Sequence, residues 1–316
     1  MNKLALSVLV IAASLFIFVP QSGAEHHADQ KAVLVTGAST GIGRNLAERL
    51  AAEGHFVYAG ARKEEDLAAL DAIENIKAVR LDVTKQDQID AAVELIRSEG
   101  RGLWGLVNNA GVATSAPLHV VEHSDLHFVF SVNVAGVVSV TKAFAPLVIE
   151  SKGRITTTGS IAGIRSGRGM GLYSMSKHAI EAFGDALAED LAGTGVKVSI
   201  VEPGSYKSHI RRSAVARAMQ QMEAAGAAPG EEMAKRAEST VTRELSLPEP
   251  DAVSDAYLHA LFSDEPKRRY MVVPTEQQAR STIGKQIQEL VELNEWHAYS
   301  FSRDELVEML DAALPD

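Results

Sequence analysis

The chain has 316 residues, 46% apolar and 23% charged, enough for one large α/β domain with a proper core. A formal net charge of −10 argues against a nucleic-acid binder, which carries a basic face. There is no cysteine, which excludes disulfides, thiolate metal sites and cysteine nucleophiles.

The first thirty residues stand apart. Lys3 precedes a 16-residue apolar run, Leu4 to Val19, and the small residues Ser22, Gly23 and Ala24 follow. This fits a secretory signal peptide cleaved after Ala24. As a helix the run would be about 24 Å long, against a hydrocarbon core of about 30 Å, so an uncleaved membrane anchor is the equal alternative. The charge bias, with Lys3 before the run and Glu25 and Asp29 after it, points to export of the rest of the chain. His26 and His27 lie near Asp29, but no further ligands follow, and no metal site is assigned.

From residue 31 strands and helices alternate. Strands are expected at the start of KAVLVTGAS (31–39) and over 55–60, 78–83, 103–111, 154–159, 196–201 and 269–273. Helices are expected over 42–53, 63–73, 86–98, 125–150, 171–192 and 250–262. The strands are almost continuously apolar, as in a parallel sheet covered on both faces. Residues 205–247 break the rhythm and suggest two short helices with a mobile connection, where a substrate lid would lie. Met219, Met222 and Met233 there are adaptable apolar side chains suited to an irregular hydrophobic substrate, although methionines at that spacing also serve as plain core. The tail 276–314 has an amphipathic helical pattern. No internal repeat or linker appears after residue 30, so the sequence describes one domain.

The first strand runs into TGASTGIG, with Gly37, Gly41 and Gly43 between a strand and a helix. Glycines there let the backbone approach a ligand, and a helix N-terminus offers free N–H groups to a pyrophosphate. No carboxylate ends the second strand; Arg62 and Lys63 follow at once. A guanidinium suits the 2′-phosphate of NADP, so NADP(H) is favoured over NAD(H). Asp82, at the end of the third strand, could accept from the adenine amine or cap a helix.

YSMSK places Tyr173 and Lys177 four residues apart, on one helix face. An ammonium near a phenol favours the phenolate, and a drop of roughly three pKa units corresponds to about 4 kcal/mol. A tyrosine poised in this way can take a proton from an alcohol or give one to a ketone. Ser160 ends the strand 154–159, thirteen residues before Tyr173, where its hydroxyl could hold the substrate oxygen. Asn133, in SVNVAG, could hold a water linking Lys177 to solvent.

Together TGASTGIG, NNAG (108–111), Asn133, Ser160, YSMSK and Pro203–Gly204 resemble the short-chain dehydrogenase/reductase family, in its branch of compact subunits. The resemblance covers residues 31–275, with 1–30 as signal or anchor and 276–316 as a C-terminal extension. It implies an α/β fold: a Rossmann-type doubly wound parallel sheet in a single domain with a helical substrate lid over 205–247. It implies Ser160, Tyr173, Lys177 and Asn133 as catalytic residues. Cofactor-binding residues would be Gly37, Ser39, Thr40, Gly41, Ile42, Gly43, Arg62, Asp82, Val83, Asn109, Ala110, Gly111, Tyr173, Lys177, Pro203, Gly204 and Ser208. The strings FVYAG, LWGLVNNAG and VEPGSYKS look like the retinol and 17β-hydroxysteroid dehydrogenase-like members, so a lipophilic alcohol or ketone is the expected substrate. Two departures stand out. Ser208 replaces the threonine of many relatives, and Thr40 replaces the basic residue common in NADP users, which leaves NADP resting on Arg62.

The resemblance also implies packing of 125–150 and 171–192 between subunits, hence a homodimer or homotetramer. Two other readings remain: a sugar epimerase or dehydratase of the extended branch, which wants a larger C-terminal domain, and a silent NADP-sensing protein. Because an exported chain would meet little NADP(H), the expectation is a membrane-associated enzyme facing the cytosol. Export after cleavage near Ala24 is the alternative.

Overall fold

The computed structural model describes residues 30–228 and 230–314. The expectations for the N-terminus, including the apolar run, the Ala24 cleavage site and the His26, His27 and Asp29 group, lie outside those residues. Among the described residues seven strands form one parallel sheet: β1 (Ala32–Val35), β2 (Phe56–Ala61), β3 (Ile76–Arg80), β4 (Gly105–Asn108), β5 (Arg154–Thr158), β6 (Lys197–Pro203) and β7 (Arg269–Val272). Their order is β3-β2-β1-β4-β5-β6-β7. This is the doubly wound α/β arrangement.

The alternation of side chains along a strand builds two cores. Ala32 and Leu34 of β1 point into a cluster with α3 (Gln86–Glu99) and α5 (Val137–Glu150), through Ile89, Ile96, Val140 and Phe144. Val33 and Val35 point the other way, onto Leu46 and Leu50 of α1 (Gly41–Ala52) and Tyr257 of a helix at Asp251–Phe262. Between α1 and α3 lies α2 (Glu64–Asp71). The strand order reverses between β1 and β4, while the strands stay parallel, and a crevice opens there at their C-terminal ends.

Several elements differ from the sequence reading. The third strand ends at Arg80, so Asp82 and Val83 lie beyond it. The single helix expected over 125–150 comprises α4 (His123–Phe130), a π-helical stretch (Ser131–Gly136) and α5. Gly136 lets this stretch pack tightly, since a Cβ there would lie 2.6 Å from Val83 Cγ2. The 28 residues from His123 to Glu150 are long and apolar enough to cross a membrane, but half of the apolar window is buried inside the protein.

Next come α6 (Gly171–Asp190) and, within 205–247, two helices of 15 residues each, α7 (Ile210–Ala224) and α8 (Glu231–Leu245). Arg212 of α7 pairs with Glu244 of α8 at 2.8 Å. Arg217 and Gln221 of α7 both reach Asp125 of α4, at 3.1 and 3.0 Å. The helix Asp251–Phe262 is α9. The tail forms α10 (Glu276–Asn294) and α11 (Arg303–Ala313). The break between them is specified locally. The Asn294 side chain bonds both the N–H and the carbonyl of Phe301 at 2.8 Å, and Ser302 and Glu305 form a capping box.

Candidate active site

The crevice begins at the glycine turn after β1. Gly37 and Gly41 adopt φ of +65° and +59°, a left-handed backbone that strains other residues. Gly43 is required for a different reason: a Cβ there would run into Asn109 Nδ2 and the Gly37 carbonyl. Asn109 Nδ2 donates to the carbonyls of Thr36 and Gly37, at 3.0 and 3.1 Å. Thr36 Oγ1 accepts from the N–H groups of Asn109 and Ala110, both at 3.0 Å. The turn is thus tied to the end of β4. No side chain caps the first turn of α1 at Thr40, so its N–H groups remain available to a phosphate. A Cβ on Gly41 would lie 3.2 Å from Ser208 Cα, so the start of the 205–247 region borders the same cradle. Ser39 and Ile42 lie in this turn and the first turn of α1. A glycine cradle with free helix N–H groups fits a dinucleotide pyrophosphate.

At the tip of β2 the Arg62 side chain is 63% exposed, and its guanidinium lies 4.0 Å from Asp82 Oδ2, a loose pair that leaves it available. Asp82 Oδ1 accepts from the N–H and hydroxyl of Thr84, at 3.0 and 2.7 Å. It therefore closes a turn, while Lys85 occupies the N-cap of α3. Those bonds and Arg62 hold the Asp82 carboxyl below the usual range, although burial opposes them. Val83 is buried against the core.

The remaining residues gather at the ends of β4, β5 and β6. A Cβ on Gly111 would lie 3.6 Å from Asn133 Oδ1 and 4.0 Å from Lys177 Nζ, so these three adjoin. Asn133 is buried within the π-helical stretch. Its Oδ1 accepts from Val112 N–H at 2.8 Å, and its Nδ2 donates to the Val112 carbonyl at 2.9 Å and to Ser176 Oγ at 3.0 Å. This side chain braces the loop after β4 against the helix that carries Tyr173 and Lys177. These bonds use both Nδ2 hydrogens and one acceptor position of Oδ1.

Ser160 Oγ donates to the Pro203 carbonyl at 3.4 Å and accepts from Ala162 N–H at 3.1 Å. Ser205 N–H donates to Gln278 Oε1 at 2.9 Å, so α10 closes that side of the Pro203–Gly204 turn.

The electrostatics of the phenol differ from the sequence reading. Burial pushes the Tyr173 hydroxyl above its ordinary pKa; the Ser160 hydroxyl and the Arg211 guanidinium pull it back. Lys177 lies beside the phenol ring. Its ammonium donates to the Thr158 carbonyl at 2.6 Å and lies 5.7 Å from the Tyr173 ring centroid. Burial brings Lys177 itself down to about 8, opposed by Glu181 one turn along α6. The two polar groups share one poorly solvated site, where desolvation is the largest influence on each.

A family model described as short chain dehydrogenase matches residues 31–218. The chain belongs to the short-chain dehydrogenase family. It is thus an NAD(P)-dependent oxidoreductase that transfers hydride at CH–OH groups. It is 39% identical over 186 residues to the mitochondrial D-beta-hydroxybutyrate dehydrogenase of Bos taurus, covering 56% of this chain and 54% of that one. The match therefore spans about half the length of the bovine protein. Retinol dehydrogenase 16 of Homo sapiens is 33% identical over 262 residues, covering 77% of this chain and 81% of its own. Among solved structures, a Burkholderia phymatum short-chain dehydrogenase/reductase in complex with NAD superposes with a TM-score of 0.71 at 26% identity. It covers 87% of this chain and 99% of its own. A serine dehydrogenase complexed with NADP+ gives 0.66 at 28%, covering 76% and 94%.

The site of this dehydrogenase includes residues that sequence reasoning passed over. Arg211 stands in HIRRS, eight residues after Pro203, and a basic pair soon after the Pro203–Gly204 turn was an available signal. Gln278 had none, because only the packing of α10 brings it to Ser205.

Two outcomes are expected. Gly43→Ala should abolish the fluorescence enhancement of bound NAD(P)H, because the methyl forces Asn109 out of the turn; circular dichroism checks that the sheet persists. Between pH about 8 and 10.5 an unfolded lysine binds more protons than folded Lys177, so stability attributable to Lys177 rises with pH across that window. In urea titrations the wild type should therefore gain on Lys177→Met between those pH values and keep a constant difference below them.

Proposed function

We propose that this chain is an NADP(H)-preferring oxidoreductase that interconverts a lipophilic alcohol and its carbonyl compound, with Tyr173 moving the proton. The carrying observation is the convergence of Ser160, Tyr173 and Lys177 beside the glycine cradle at the sheet's reversal point. The dinucleotide, when bound, supplies or accepts the hydride. Tyr173 gives its phenolic proton to the substrate carbonyl, or takes one from the hydroxyl. Ser160 Oγ orients that oxygen and steadies charge as it develops. Lys177 is largely an ammonium at neutral pH, which keeps a cation near the phenol and a donor available for a ribose. Asn133 fixes the loop carrying Gly111, so that this wall does not drift from Lys177.

The NADP preference is supported by Arg62, exposed at the tip of β2 with no carboxylate in that strand. In this reading α7 and α8 form the substrate lid, and Met219, Met222 and Met233 are half-buried on it, free to adapt to an apolar substrate. The likeness to a retinol dehydrogenase points the same way. The reading includes membrane attachment through residues 4–19, with the catalytic domain on the cytosolic side. It also includes assembly as a homodimer or homotetramer.

A dinucleotide-consumption screen of steroids, retinoids and aliphatic carbonyls tests the lipophilic substrate; silence across all of them with both dinucleotides would refute that substrate class. Tyr173→Phe should cut kcat by about 1,000-fold or more while dinucleotide Kd stays within about threefold. Arg62→Ala should weaken NADPH about tenfold and leave NADH nearly unchanged. Equal losses on both would remove the basis for the NADP preference.

A further inference from the structure

The helix α7 carries three arginines, and they are used differently. Arg212 is paired with Glu244 of α8 at 2.8 Å, and Arg217 with Asp125 of α4 at 3.1 Å. These two hold the helix in place. Arg211 has no such partner: among the described residues no carboxylate lies within ion-pair distance of it. Its Nη2 lies 3.4 Å from Ser205 Oγ. Ser205 is two residues past Pro203, whose carbonyl accepts from Ser160 Oγ. Its charge also pulls the Tyr173 phenol down against the effect of burial. Arg211 thus borders the same small space as the two groups that handle the substrate oxygen.

The surroundings leave this cation undercompensated. It is half-buried, and desolvation disfavours its charge. Arg243 adds a repulsive positive charge, and Glu244 offsets it only in part, its Oε1 bonded to Arg212 and its buried Oε2 without a hydrogen-bond partner. Arg211 also stands in the first turn of α7, where no side chain caps the N–H groups and the helix dipole is positive. A guanidinium presents two parallel N–H donors, a fork that matches a carboxylate. A neutral substrate would bury this fork further without a partner.

We propose that Arg211 anchors a carboxylate carried by the substrate, so that the alcohol or ketone taken by this site is a hydroxy or oxo acid. The proposal rests on the oxidoreductase reading above and names the substrate class of the same site. Arg211 meets Ser205 two residues past Pro203, whose carbonyl accepts from Ser160, so short-chain acids are the form to test.

The test uses the full chain with NADP+ or NAD+, straight-chain 2-, 3- and 4-hydroxy acids, and the methyl ester of each. At least one acid should exceed its own ester by about 100-fold in kcat/KM. Arg211→Gln should lose about 100-fold more on that acid than on the ester, where only its easing of the Tyr173 phenol is lost, with dinucleotide Kd within about twofold. Arg211→Lys keeps the charge but not the fork, and should lose about tenfold; it also serves if the Gln variant fails to fold.

A second readout does not depend on turnover. Calorimetry with straight-chain carboxylates, in the presence of dinucleotide, should show binding that the matching primary amides lack and that Arg211→Gln abolishes. Three results would overturn the proposal: no acid preference in the wild type, equal losses on acid and ester, or a loss explained by weaker dinucleotide binding, which would make Arg211 a pyrophosphate clamp. If neither acids, esters nor neutral alcohols turn over, the oxidoreductase reading fails, and the calorimetry alone then decides for or against Arg211.

Discussion

Two backbone segments, the turn after β1 and the end of β4, approach each other with no room for side chains between them. Gly37 and Gly43 leave that space, and the side chains of Thr36 and Asn109 close it with hydrogen bonds in both directions. The rest of the site hangs from this contact. It sets the first turn of α1 facing the crevice, and it places Gly111 against Asn133 and Lys177 on the other side of the sheet's reversal point. A cleft built from main chain holds its shape better than one built from rotatable side chains, which suits a site that must hold two reactants in register.

Burial and charge compete inside that cleft. Tyr173 and Lys177 both pay for leaving water, and their shifts oppose the form each would take as an ion. The phenol is eased down by a hydroxyl and a guanidinium, while the ammonium is steadied by a strand-end carbonyl and by Glu181. The poise of the site is therefore set by several modest neighbours, and a ligand that adds or removes one charge will move it.

Rigidity is supplied from outside the reacting groups. The π-helical stretch turns Asn133 inward to lock the loop after β4 onto α6 through Val112 and Ser176. Asp125 and Glu244 hold α7 from two sides, and Gln278 of α10 buttresses the Pro203–Gly204 turn. These braces come from four separate helices, so the site is stiff only once the whole chain has packed.

Some of this was legible in the sequence. Apolar runs alternating with helical spacing dictated a parallel, doubly wound sheet, since each short strand could bury both faces only in that way. The glycine turn, Ser160 and the Tyr173–Lys177 spacing were equally plain, because each depends on geometry within one strand–turn–helix unit. What lay between distant segments was not. That Lys177 turns to Thr158, that Asn133 spends its amide on Val112, and that Arg211 and Gln278 border the site were decided by tertiary packing. Local sequence fixes which groups a segment can offer. Only the folded chain fixes which of them lose water, and to which neighbour they turn in its place.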